Sequence, residues 1–197
     1  KEVSFDLYNQ IPNRYTHLKK IQNAFLQCHF NTNKTEQAFV QLTEDEDYNF
    51  SRYNFFLVNY LLSKNKNIEA KKAIKEARKK HNSNLLLKQT ESFLYENDKK
   101  IKNFFDCKNP KDSLSEFFYV MANLFSSERE YQLSNFYLKI SIYLNNKFLT
   151  NRALLAENFF YQGKNDLSID VYDSLKSVGS DYAWYAAKNI AQNLIIT

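Results

Sequence analysis

A chain of 197 residues with 44% hydrophobic and 16% aromatic content has the material for a substantial core, so it is neither disordered nor a short linker. Two Gly and two Pro exclude Gly-rich phosphate loops and disfavour many-hairpin β folds, which leaves helices joined by short polar turns. The formal charge of +5 is a modest surplus carried mainly by lysine, with arginine, the better reader of phosphate and bases, scarce.

In chain order, a first helical unit is expected over 14–46, broken at NTNK from Asn31 and ending in TEDEDY from Thr43 to Tyr48, a solvated acidic loop. A second unit over 51–82 opens with RYNFFLVNYLLS. There Phe55, Val58, Leu61 and Leu62 follow helical spacing, and the break SKNKN follows. Its other half, KNKNIEAKKAIKEARKKH, places Ala70, Ile74 and Ala77 on one face and most lysines on the others, the pattern of a helix with a wet side. A third unit over 83–110 breaks at ENDKK, and Pro110 is expected to end its second helix early. A fourth over 112–146 contains FYVMANLF and SNFYL, and a fifth over 147–179 contains RALLAENF and SIDVY. SDYAWYAAKNIAQNLI then reads as a capping helix over 180–197, capped by Ser180 or Asp181, with the sole tryptophan, Trp184, expected in the core.

The breaks recur every 32 to 34 residues. Stepping back from Gly163 gives Arg129, Asn97, Asn65 and Asn33, where glycine or asparagine would supply a left-handed residue ending the first helix of a hairpin. Five residues on stand Ala38, Ala70, Lys102, Ser134 and Ser168, and the four small ones let two helix axes approach closely. One chain position in five departs from each pattern: Arg129 in the first, Lys102 in the second.

On these residues the chain resembles the tetratricopeptide repeat (TPR) family, in its bacterial TPR-like form. Leu155, Ala156, Phe159, Ser168 and Tyr172 match the family pattern, as do Met121, Ala122, Phe125, Ser134 and Leu138 one repeat earlier. The resemblance implies an all-α fold, an α-α superhelix: a single TPR-like solenoid of about five helical hairpins plus a C-terminal capping helix. It also implies a non-enzymatic protein-protein interaction module, a scaffold or adaptor that binds a peptide or protein segment in its concave groove. The first-helix positions that would line that groove are Arg52, Phe55, Asn59, Tyr95, Tyr119, Asn123, Glu157, Phe160 and Tyr161. Asn59 and Asn123 recur at one groove position, where a side-chain amide can both donate to and accept from a peptide bond.

Chemistry is sparse. His17, His29 and His81 are scattered, and none is paired at the i, i+4 spacing of a metal site. Cys28 and His29 are helix neighbours about 100° apart and cannot readily share a proton. No phosphate-loop or dinucleotide motif is present, so no catalytic residue, metal or cofactor is expected. Cys28 and Cys107 are expected as buried free thiols, with a single bridge between them as the alternative. The alternative function is an RNA- or anionic-surface-binding helical repeat using the basic 64–80 helix, and self-association is a third possibility. No apolar run is long enough to span a membrane. The compartment is open: a soluble chain is expected, cytoplasmic or, if a leader was removed ahead of Lys1, periplasmic.

Overall fold

A computed structural model describes residues 1–45, 49–96 and 99–196, and no strand occurs among them. They divide into two compact units, 1–110 and 111–197.

In the first unit, α1 (Glu2–Asn9) packs on α2 (Thr16–His29), α2 on α3 (Thr35–Thr43), α3 on α4 (Tyr53–Ser63), α4 on α5 (Asn67–Lys80) and α5 on α6 (Leu85–Tyr95). The sequence YNFFLVNYLLS has no polar stripe, so α4 can be stable only when covered all round. It is accordingly the centre of the unit, with nine of its eleven residues buried, and it touches α3, α5, α6 and a 3-10 turn, Lys99–Asn103. α5 is the opposite case: Ala70, Ile74 and Ala77 face inward, while Lys71, Lys72, Lys75, Lys79 and Lys80 are exposed.

The third unit departs from the expected hairpin. α6 is followed by the short 3-10 turn and an irregular run to 109, and Pro110 opens α7 (Pro110–Ser127) instead of ending a helix. Proline has no amide hydrogen and a fixed φ, so the first turn of a helix, where amides lack partners anyway, is where it fits. Lys102, the one large residue at the small-residue position, is exposed there.

In the second unit, α7 pairs with α8 (Tyr131–Leu144), α9 (Arg152–Tyr161) with α10 (Asn165–Leu175), and α11 (Ser180–Ile196) packs on α10. Ala122, Leu138, Leu155 and Phe159 form its buried cluster. Ser134 and Ser168 are fully buried and donate to the carbonyls of Ala122 and Ala156, at 2.7 and 2.9 Å. A larger side chain at either place would hold the two helices apart.

The turns share one geometry. Asn65 (φ 59°), Arg129 (φ 63°) and Gly163 (φ 69°) are all left-handed. Each donates its amide three residues back, and the next residue donates five back: Lys66 to Leu61, Glu130 to Phe125, Lys164 to Phe159, each at 2.9 Å. This pair of hydrogen bonds caps orphan carbonyls of the finished helix. The first unit makes the same turn at Asn31 (φ 49°), not at Asn33 as expected, with Thr32 donating to Gln27. Asn97, and Glu46 to Tyr48 of the acidic loop, lie outside the described residues.

Trp184 corrects another expectation. It is 67% exposed, with the Lys188 ammonium 5.8 Å from its ring, because the inward face of α11 is occupied by Tyr182 and Ala186. Cys28 and Cys107 are also not free thiols: they form a disulfide, their Cα atoms 5.8 Å apart across 79 residues of sequence.

Candidate peptide-binding surface

The nine groove positions separate by environment. In the first unit, Phe55 is 1% exposed and packs edge-on against Phe56, and Asn59 is buried with its amide donating to the Ile101 carbonyl at 2.9 Å. Phe55 is covered and presents no surface to a ligand, while Asn59 borders a small cavity with its amide already engaged by the Ile101 carbonyl. A helix apolar all round offers no periodicity from which an outward side could be read. Arg52 is half-buried with its guanidinium 5.7 Å from the Phe56 ring, and Tyr95, the last residue of α6, is exposed.

The other five lie in the second unit, on α7 and α9. Tyr119 is half-buried against the Ala122–Leu138–Leu155–Phe159 cluster, and Asn123, one helical turn on, is exposed. Phe160 is half-buried and meets the Tyr161 ring at 5.7 Å. Tyr161 is 64% exposed and stacks on Tyr131 at 5.6 Å, the rings 16° from parallel. These two tyrosines, with Ser126, Ser127 and Arg129, line an open pocket of about 580 Å³. The recurrence of asparagine therefore does not give two equivalent amides: Asn59 is a core residue and Asn123 a surface one.

Tyr131 and Arg129 were not among the anticipated site residues. The turn itself was the available signal: the left-handed residue ends α7 and starts α8 at once, so its own side chain and the first residue of α8 must border the same opening.

Behind the pocket wall, Asn158 fixes the geometry. Fully buried, it donates to Ser134 Oγ at 2.7 Å and Asn135 Oδ1 at 2.9 Å, and accepts from Ser126 Oγ at 2.7 Å. An unsatisfied amide at that depth would be costly, so this set holds α7, α8 and α9 in one register.

Glu157, half-buried on α9, accepts a hydrogen bond from the Tyr185 hydroxyl of α11. Burial pushes its carboxyl above the usual range, against the opposing pull of that hydrogen bond. Burial and the neighbouring Glu157 charge push Tyr172 up to about 12 and raise Tyr185 as well, so both phenols stay neutral. The rings of Tyr172 and Tyr185 meet at 5.8 Å, nearly perpendicular. Glu157 therefore ties α9 to α11 and offers a ligand little free carboxylate.

Among the described residues, no group of three or more His, Cys, Asp or Glu side chains could hold a metal ion, and no helix is long and apolar enough to cross a membrane. What α7, α9 and the turn into α8 present is an aromatic and amide surface with hydroxyls and the Arg129 guanidinium, suited to hydrogen-bonding and stacking on an extended chain. Comparisons with family models, curated proteins and solved structures return no match.

Proposed function

We propose that the chain is a TPR-like, non-enzymatic protein-interaction module that takes an extended peptide segment along α7 and α9. The observation that carries the reading is the Tyr131–Tyr161 stack: two tyrosines from successive hairpins, bordering an open pocket at the end of α7, the helix that also carries the exposed Asn123. Rigid, partly exposed aromatics lose little conformational freedom on binding and supply much of the contact energy in such interfaces. The shared turn geometry and the buried serines support the repeat character of the unit.

The test is selection of displayed linear peptides on the wild-type protein, followed by affinity measurement on the Tyr161→Ala, Asn123→Ala double variant. The expected loss is at least about tenfold, equivalent to about 1.4 kcal/mol. Selected peptides that bind the double variant equally well, or a selection that yields none above background, would refute the reading.

A second reading, binding of RNA or an anionic surface through α5, is favoured by the charge distribution. Residues 1–110 hold 19 Lys and Arg against 13 Asp and Glu, and residues 111–197 hold 8 against 9, so the whole surplus belongs to the unit that contains α5. Such binding must weaken steeply with added salt; a flat salt response excludes it.

A further inference from the structure

We propose that residues 101–108 form a strap seated on α2 and α4, and that thiol–disulfide exchange at Cys107 releases it. Release would uncover an aromatic surface for a peptide that, like the strap, offers an aromatic ring and a main-chain carbonyl four residues before it.

The strap stands where the third unit lacks a second α-helix. It has little secondary structure of its own, and it is held by contacts to helices whose main-chain hydrogen bonds do not involve it. Phe105 packs on both Phe25 of α2 and Phe56 of α4, at 5.5 and 4.7 Å between ring centres, and those two rings also meet each other at 5.2 Å. The Ile101 carbonyl accepts from Asn59, the Cys107 carbonyl lies 3.2 Å from the His29 ring nitrogen Nδ1, and Cys107 is bonded to Cys28. Each tie is of the kind an exogenous peptide can supply, except the disulfide. Asn59 thus grips a main-chain carbonyl, but that of its own chain.

The disulfide is reachable. Both cysteines line a cavity of about 220 Å³ together with Lys64, Lys102, Lys108 and Asp106, and Cys107 is half-buried whereas Cys28 is 2% exposed. Three lysines against one carboxylate leave the lining net positive, which favours the approach of a thiolate. The thiolate of a dithiol reductant attacks Cys107 Sγ, the S–S bond breaks, and Cys28 Sγ leaves with the bonding pair and takes up a proton. The second thiol of the reductant then attacks the mixed disulfide, freeing Cys107 as a thiol and leaving the reductant as a cyclic disulfide. Two electrons pass from the dithiol to the protein. The strap then lacks its covalent tie and is held by non-covalent contacts and its chain connections, so an external segment at sufficient concentration can compete for Phe25 and Phe56.

This inference concerns the first unit and does not rest on the α7–α9 surface. Its test is hydrogen exchange of the full chain with and without dithiothreitol, repeated on Cys107→Ser, together with binding of a synthetic peptide copying residues 99–109 with serine for cysteine. We expect amides of 101–108 to lose at least about tenfold protection on reduction and in Cys107→Ser, while those of α2 and α4 keep theirs. The peptide should bind the reduced protein and Cys107→Ser but not the oxidised protein. Unchanged protection of 101–108 overturns the proposal, as does loss of α2 and α4 protection together with the strap. Local loosening without peptide binding overturns it as well.

Discussion

The Ser134 hydroxyl, fully buried, donates to the main-chain carbonyl of Ala122 at 2.7 Å. Thirty-four residues on, Ser168 repeats the bond to Ala156 at 2.9 Å, and in both hairpins the acceptor lies twelve residues before the donor. The repeat is thus expressed in a side-chain hydrogen bond as well as in turn spacing. Two helices come close enough for a hydroxyl to reach the opposite backbone only where both residues are small.

The two serines are not equivalent. Ser134 Oγ also accepts from Asn158, so Ser134→Ala strands a buried amide hydrogen in addition to losing its own bond. Ser168→Ala should cost about 1 kcal/mol and Ser134→Ala about 2 kcal/mol. Denaturant unfolding followed by circular dichroism measures both, and equal losses would contradict the Asn158 network.

The turns predict opposite effects for two substitutions at equivalent places. A Cβ at Gly163 would meet nothing within 4 Å, so Gly163→Ala should cost about 1 kcal/mol through backbone strain alone. Arg129 already bears that strain, and Arg129→Gly should stabilise by roughly 0.5 kcal/mol, the relief being partly offset by greater freedom of the unfolded chain. Thermal unfolding of both variants provides the comparison.

Glu157 gives a pH dependence of definite sign. A carboxyl whose pKa is higher folded than unfolded holds its proton more tightly in the folded protein. Its contribution to stability is greatest below its ordinary value of 4.5 and declines as pH climbs through the raised folded value. Glu157→Gln keeps an oxygen acceptor for Tyr185 and has no proton to lose. The wild type minus Glu157→Gln stability difference should therefore fall across that window and level off above it. A difference that is flat or rises with pH would show that the carboxyl is not desolvated.

Trp184 should behave as a solvated residue. Its fluorescence should be readily quenched by acrylamide, and Trp184→Ala should cost less than about 0.5 kcal/mol. Tyr172, 2% exposed, should cost about 3 kcal/mol or more on truncation to alanine, because a cavity is left where a ring was packed. Strong shielding of the tryptophan would place the face of α11 against another surface in solution.

Much of the local structure was legible in the residues. The apolar stripe of α5, the small positions at 38, 70, 134 and 168, and the left-handed turns at 65 and 163 all depend on residues within a few positions of one another. Proline was legible as a boundary but ambiguous in direction, since Pro110 is compatible with either a helix end or a helix start. The α4 segment resisted a facing assignment because nearly every side chain in it is apolar, which is why Phe55 and Asn59 were placed on a surface they do not share.

By itself, then, the sequence determined most of the helices and the turns at 65, 129 and 163, but not α1 or the missing second helix of the third unit, because φ preference, periodicity and side-chain size act over one or two turns of chain. Tertiary structure alone decided that Cys28 meets Cys107, that Phe105 packs on Phe25 and Phe56, and that Tyr131 stacks on Tyr161. Those pairings join residues 30 to 80 positions apart, and no local pattern encodes which distant side chain will fill a given space. Packing settles that when the helices come together.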